Sequence, residues 1–369
     1  MTAIVSLQVP LPHSASGSYT VRVGTGVAVE IGAALRRAAP KIRRVGVLSD
    51  SNVWPLHGEA MRARLDAAGV QPVVHIVAAG EGSKSAAALC ECIGTWANGG
   101  VSRTDATLAF GGGVVGDLGG LAAHLFMRGV PIVQCPTSLL AMVDASVGGK
   151  VAIDHPVAKN LVGAFHFPAA VLVDPGFVAT LPAPERIAGA AEMVKHALLF
   201  SADHFAALFA AAPGWTSLAA EPLAELVATS IALKVACVAA DPFERAPAGR
   251  VLLNLGHTVG HALESVSGYT LGHGPAVALG IIAAARLSCA RSLAAPALLT
   301  QIVEILAALG LPTDLDRWLA DREPLRAALA HDKKRGANAL TYIALADIGN
   351  PQVIVLGADD ILSSIAVRG

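Results

Sequence analysis

Short apolar runs alternate with helical stretches through the first half of the chain, and this rhythm restricts the fold more than any other feature. VGVLSD (45–50), VVHIVAA (73–79), ATLAF (106–110), PIVQCP (131–136) and AVLVD (170–174) each read as a strand. Strands separated by helices need crossover connections, which implies a parallel or mixed sheet covered by helices. The opening segments IVSLQV and YTVRVG read as an antiparallel pair feeding that sheet. After TLPAPE (180–185) the character changes to Ala-rich helical segments with short breaks, among them LAELVATSIALKVACVAA, GHTVGHALESV, AVALGIIAAARLSCA and LLTQIVEILAALG. A domain boundary is therefore expected near residue 178, with an α/β domain over 1–177 and a mostly α-helical domain over 178–369.

A chain of 369 residues, 54% hydrophobic and 15% charged, can bury two ordinary cores. Twenty-seven basic against 28 acidic residues leave a formal charge of −1 with no basic stripe, which argues against nucleic acid as a partner. The apolar stretch Ala276–Ala285 ends at Arg286, too short to span a bilayer, so no membrane association is expected. The start has neither a basic segment nor a long apolar one, as a secretory signal would require. Cys90, Cys92, Cys135, Cys237 and Cys289 form no CxxC pair and are expected to be free thiols in a reducing cytoplasm.

Three groups of residues carry chemistry. The first is the turn Gly111-Gly112-Gly113-Val114-Val115-Gly116-Asp117, which follows a strand and opens a helix. Glycines there let backbone N–H groups approach a diphosphate, and a helix N-terminus favours its charge. The spacing is not GxGxxG, and a plain strand-to-helix turn explains it equally well. Asp50, at a strand tip, suits a ribose hydroxyl, although a lone acid there more often forms a turn. The second group is His257 and His261, four apart on one helix face, with His273 in Gly272-His273-Gly274 and Glu192 upstream in AEMVK. A carboxylate and imidazoles suit a borderline divalent cation such as zinc with positions left for substrate oxygens. Thr258 stands where HExxH needs glutamate, which disfavours a zinc peptidase. An HxxxH pair by itself is more often structural; Glu192 and His273 reverse that only if the fold gathers them. The third group is a set of ionisable residues in apolar surroundings, comprising Asp144, Lys150, Lys159, Lys195, Lys234 and Arg250, with Asn160 beside them. A single lysine of this kind more often snorkels to the surface. Several cations around a metal describe a pocket for an anionic, hydroxyl-rich substrate.

The blocks GEGSKS, GGGVVGDLGG, MRGVPIVQCPTSLLAMVDASVGGK, KNLVGAFHFP, AEMVKHALL, RVLLNLGHTVGHALE, LGHG and HDKKRG resemble, in this order and through most of the chain, the sugar-phosphate cyclase family, and within it the 3-dehydroquinate synthases. The resemblance implies a dehydroquinate synthase-like fold, with an α/β NAD-binding domain, a helical domain and an active site between them. It implies metal ligation, by zinc or cobalt, at Glu192, His257 and His273. It places substrate and catalytic roles on Asp144, Lys150, Asn160, Lys195, Lys234, Arg250, Asn254 and His261. Arg128 matches an arginine that reaches the neighbouring subunit's substrate phosphate, and one of Lys333 and Lys334 matches a further substrate contact. NAD contacts are implied at Asp50, Glu81, Lys84, Gly113, Val114, Val115, Gly116, Asp117, Thr137, Ser138, Lys150, Lys159, Phe177 and Thr180. A homodimer is implied as well.

The implied substrate is 3-deoxy-D-arabino-heptulosonate 7-phosphate. The implied route is oxidation at C5, phosphate elimination, re-reduction, ring opening and intramolecular aldol closure to 3-dehydroquinate, with no net consumption of NAD. The sequence departs from the family pattern in three places. His273-Gly274-Pro275 stands where HGE is usual, the stretch Asp241–Pro247 differs, and Thr341 stands where an arginine is expected. These changes describe a divergent branch and bear on the choice of substrate. A sister cyclase acting on an aminodehydroquinate-type, 2-deoxy-scyllo-inosose-type or epi-valiolone-type substrate is the first alternative. A metal-dependent polyol dehydrogenase and an inactive sugar-phosphate binder are the others.

Overall fold

A computed structural model describes residues 3–11, 17–331 and 340–366. The chain divides into two compact units, one over Met1–Pro182 with Ala219–Phe243, the other over Ala183–Leu218 with Glu244–Gly369.

In the first unit β1 (Val5–Pro10) and β2 (Ser18–Val23) form an antiparallel pair, as the opening segments predict. There follow α1 (Ile31–Ala38), β3 (Arg44–Asp50), α2 (Val53–Ala67), β4 (Gln71–Val77), α3 (Ala86–Asn98), β5 (Ala106–Gly111), α4 (Gly113–Leu125) and β6 (Ile132–Pro136). A hairpin of β7 (Lys150–His155) and β8 (Ala158–Phe165) precedes β9 (Ala170–Val173). The seven-stranded sheet has the order β1-β2-β9-β6-β5-β3-β4, and every pairing except β1–β2 is parallel. β5, β6 and β9 are buried along their whole length. That explains why they read as continuous apolar runs and not as alternating patterns. The hairpin was not apparent as strands in the sequence, because β8 is exposed over most of its residues and carries no clean alternation.

The second unit opens with α5 (Ala183–Phe200) and α6 (Ala202–Ala211). α7 (Ala220–Ala240) returns to the first unit, where it packs on β1, on the π-helical turn Ala141–Ala145 and on the turn Pro175–Thr180. Then come α8 (His257–Val266), α9 (His273–Ala290), α10 (Pro296–Ala308), α11 (Asp316–Leu319), α12 (Glu323–His331), the hairpin β10 (Leu340–Asp347)–β11 (Asn350–Leu356) and α13 (Ala358–Ile365). α7 and α9 are both long and apolar enough to cross a membrane by length and composition alone. In α9, Ala276–Ala285 is buried throughout, as in the core helix of a globular unit.

α8 and α9 touch backbone to backbone. A Cβ built on Gly280 would stand 1.8 Å from the Gly256 carbonyl oxygen, and one on Gly260 would stand 3.0 Å from that of Ala276. Glycine at these positions lets the end of α8 that bears His257 and His261 lie against α9, which starts at His273.

Candidate active site

The second unit gathers the candidate metal ligands. Glu192 lies mid-α5 with no exposure to solvent. Its Oε1 is 3.5 Å from His257 Nε2 and 3.2 Å from His273 Nε2, and one donor atom from each residue fits within a 4.8 Å cluster. His257 Nδ1 lies 3.1 Å from the Leu255 carbonyl, to which it donates in the tautomer that leaves Nε2 as the lone-pair nitrogen. Burial, reinforced by the Lys195 charge, pushes the His257 imidazole well below its ordinary value, so it stays neutral at pH 7. Burial alone would also lower His273, but hydrogen-bonding carboxylates of Glu192 and Glu264 raise it to about 10.

Lys195 lies one turn beyond Glu192 on α5 and is ion-paired with its Oε2. His261 presents its ring to both other histidines, with centroids 5.2 Å from His257 and 6.1 Å from His273. Arg250 is buried at the start of the 3-10 turn Arg250–Asn254, and Asn254 donates from Nδ2 to Glu244 Oε1 at 3.4 Å. Lys333 and Lys334 lie outside the described residues.

The first unit holds two further groups. Around the glycine-rich turn, Gly112 caps α4 without a side-chain partner, and a Cβ on Gly111 would meet Val115 at 2.6 Å. The strand-to-helix turn therefore needs glycine, and Gly113, Val114 and Val115 form the first turn of a helix whose N-terminus has no side-chain cap. Thr137 donates its backbone N–H to the Gly111 carbonyl, and Ser138 Oγ accepts from the Ala141 amide. Asp117, in the first turns of α4, pairs with the buried Lys84 at 2.9 Å. Burial raises the Asp117 carboxyl to about 6 against the pull of Lys84. Lys84 and Lys159 both approach Glu81, at 3.5 and 3.3 Å. Asp50 accepts from the amides of Asn52 and Val53, which is the turn-forming role its position also allowed. Phe177 packs edge-on against Phe110 and His57, and Thr180 lies 2.8 Å from His57 Nε2.

The other group centres on Asp144, in the π-helical turn, whose Oδ1 is 2.7 Å from Lys234 Nζ of α7. Lys84 also hydrogen-bonds Asn160 Oδ1, joining the glycine-rich turn to β8. Asn160 is left-handed, with φ 54°, and its amide donates to Asp154 Oδ1 at 2.8 Å. Lys150 is exposed at the start of β7. Arg128 is exposed in a run of three positive-φ residues with Met127 and Gly129. Asp154 and Glu264 are contacts that the sequence reading missed.

Residues 74–188 match the family model for the N-terminal part of 3-dehydroquinate synthase, and residues 189–335 match that for the C-terminal part. The chain belongs to the 3-dehydroquinate synthase family. It is 41% identical over 328 residues to the 3-dehydroquinate synthase of Symbiobacterium thermophilum, covering 88% of this chain and 90% of that one. It is also 41% identical to the enzyme of Lactiplantibacillus plantarum, covering 86% and 87%. Among solved structures, the 2-epi-5-epi-valiolone synthase ValA of Streptomyces hygroscopicus, with NAD+ and Zn2+ bound, superposes with a TM-score of 0.84 at 26% identity over 96% of this chain and 98% of that one. A 2-deoxy-scyllo-inosose synthase shares the fold, with a TM-score of 0.85 at 23% identity over 98% and 99%. Membership makes the chain a sugar-phosphate cyclase of this family, and the dehydroquinate synthase-like fold expected from its motifs is the fold it has.

Proposed function

We infer that the protein catalyses the 3-dehydroquinate synthase reaction, converting 3-deoxy-D-arabino-heptulosonate 7-phosphate to 3-dehydroquinate and phosphate, as a carbon–oxygen lyase dependent on NAD and a divalent metal. The observation that carries this reading is the buried Glu192 with the Nε2 atoms of His257 and His273 turned onto one of its oxygens. One carboxylate and two imidazoles are a donor set for zinc or cobalt that leaves positions for substrate oxygens. The uncapped N-terminus of α4 and the Gly111 turn suit a dinucleotide diphosphate. The choice of substrate within the family follows the relatives at 41% identity, all named 3-dehydroquinate synthase, over the structural neighbours named for sister reactions.

In this reading residues 1–177 are the NAD-binding domain and residues 178–369 hold the metal and most substrate contacts. Bound NAD supplies a hydride acceptor and donor, and the metal a Lewis acid. Gly113, Val114, Val115, Gly116, Asp117, Thr137, Ser138, Asp50, Glu81, Lys84, Lys150, Lys159, Phe177 and Thr180 hold the nucleotide. Lys150, Asn160, Arg250 and Arg128, the last from a second subunit of a homodimer, hold phosphate and carboxylate. Lys195 and Lys234 anchor carboxylate and hydroxyl positions. Asp144, fixed by Lys234, holds the reacting hydroxyl. His261 with Asn254 serves phosphate and proton relay, and one of Lys333 and Lys334 completes the substrate contacts. Much of the rate comes from holding one conformer of a flexible sugar.

The test is phosphate release from 3-deoxy-D-arabino-heptulosonate 7-phosphate with catalytic NAD and added zinc or cobalt, with dehydroquinate followed through a coupled dehydratase. Equal phosphate and dehydroquinate, abolished by a chelator and restored by metal, is the expected result. A folded, metal-loaded protein that binds NAD and releases no phosphate from this substrate would refute the substrate assignment, and the sister substrates would then be tried.

A further inference from the structure

α8 carries three ionisable residues on one face, His257, His261 and Glu264, at spacings of four and three. Two bear on the metal cluster and on substrate in the reading above. The third is a glutamate whose side chain is 6% exposed in the last turns of the helix. A carboxylate so deeply buried is costly unless it meets a cation or several donors. Glu264 Oε2 lies 3.5 Å from Nδ1 of His273, while Nε2 of the same ring lies 3.2 Å from Glu192 Oε1. The ring is therefore held between two carboxylates, one on each nitrogen.

A histidine that gives one nitrogen to a metal needs an acceptor for the other N–H, which fixes the tautomer and the ring plane and raises the basicity of the ligating nitrogen. His257 has such an acceptor in the Leu255 carbonyl. His273 is the first residue of α9, follows a glycine, and has 30% of its side chain exposed. Pro275, two residues on, has no ionisable group to offer. We propose that Glu264 is the positioning residue for His273, accepting the Nδ1 proton so that Nε2 is presented with Glu192 and His257 as a preformed metal-binding face. The proposal rests on the metal-dependent reading above, and it assigns Glu264 no contact with substrate or metal.

The experiment measures zinc affinity of the full-length apoprotein by competition with a chromophoric chelator, for the wild type, Glu264→Gln and Glu264→Ala, with His257→Ala as a ligand-loss control. Cobalt absorption spectra are recorded on the same proteins. Glu264→Gln keeps the shape of the side chain but removes its charge and half its acceptor capacity, and is expected to weaken zinc about 10- to 100-fold. Glu264→Ala is expected to weaken it at least as much, and the cobalt d–d bands should shift in both variants while NAD affinity stays at the wild-type value. His257→Ala should abolish stoichiometric binding. Wild-type-like zinc affinity and cobalt bands in Glu264→Gln would overturn the proposal and leave the metal-dependent reading standing. A wild-type apoprotein that takes up no zinc would overturn both. Should Glu264→Ala not fold, the isosteric variant alone decides between these results.

Discussion

Replacing Gly280 by alanine adds one methyl group, and the structure predicts that it acts on the candidate metal ligands from the far side of a helix contact. The new Cβ would stand 1.8 Å from the Gly256 carbonyl oxygen, 2.7 Å from its carbon and 3.0 Å from its Cα. Every one of these atoms is backbone, so no rotamer change relieves the clash, and α8 and α9 must part by about 1 Å or more before contact is ordinary. Overpacking of this kind costs about 3 kcal/mol, against which the better helix propensity of alanine returns about 1. The net loss is about 2 kcal/mol, or a midpoint about 4–8 °C lower for a unit of this size. Gly256 directly precedes His257, and His273 starts the helix on which Gly280 sits. Metal sites tolerate errors of only about 0.2 Å in ligand distance, so zinc affinity should fall by at least about tenfold. The matched control is Gly94→Ala, inside α3, where an added Cβ meets nothing within 4 Å. The same chemical change there should stabilise by about 0.5–1 kcal/mol. Thermal melts with and without zinc, beside chelator competition, measure both effects. If Gly280→Ala melts with the wild type and keeps its zinc affinity within about twofold, the reasoning from backbone contact to metal geometry is wrong.

Two further outcomes follow from groups that the sequence reading passed over. Asp154→Ala removes the acceptor that holds Asn160 in its left-handed conformation. A charge-assisted hydrogen bond is worth about 1.5 kcal/mol, so KM for the sugar phosphate should rise about tenfold with kcat nearly unchanged, and Asp154→Asn, which keeps an acceptor, should recover most of it; equal KM in all three proteins would remove the link. His204 is buried, its Nε2 has no hydrogen-bond partner among the described residues, and burial, aided by the nearby His196, lowers it to about 4. Its folded value lies below its unfolded value of 6.5, so the folded state binds the proton less readily. Its contribution is complete above pH 6.5 and fades as pH falls towards 4, by up to about 3 kcal/mol. His204→Leu should flatten denaturant midpoints across that window, and an unchanged slope would show that other groups control acid sensitivity.

The sheet was legible because its central strands are buried on both faces and announce themselves as apolar runs. The β7–β8 hairpin was not, because KVAIDHPVAKNLVGAF mixes buried and exposed residues without a period of two. Within the site, the spacing of His257 and His261 placed both on one helix face, which the structure bears out. Local pattern could not show that Glu192 is buried, since an AEMVK stretch on a helix reads equally well facing solvent. His273 joins the cluster across a turn and a second helix, and only the contact between α8 and α9 brings it there. Glu264 and Asp154 were missed for a common reason. Each is a lone acid whose ordinary place is the surface, and only the partner across space gives it a role.

The low charge of the chain sharpens this contrast. Among the described candidates, Lys84, Glu192, Lys195, Lys234 and Arg250 are all buried, as is Glu264, whereas Lys150 is exposed and Lys159 partly so. Moving an ion out of water costs several kcal/mol even after relaxation, and well-packed apolar residues often serve stability as well or better than a buried pair. A fold with 54% hydrophobic residues had ample material to fill these positions otherwise. Packing does not explain why Lys195 sits against Glu192, or Lys234 against Asp144, in helices that are otherwise apolar. The proposed function accounts for it: charges fixed in advance of a polyanionic substrate have their desolvation met on folding and not during the reaction. Lys150 differs from these in lying exposed at the start of β7. On this argument, neutralising Lys195 or Lys234 should remove most of the turnover, and because it strands the carboxylate of Glu192 or Asp144 it should lower the melting temperature as well.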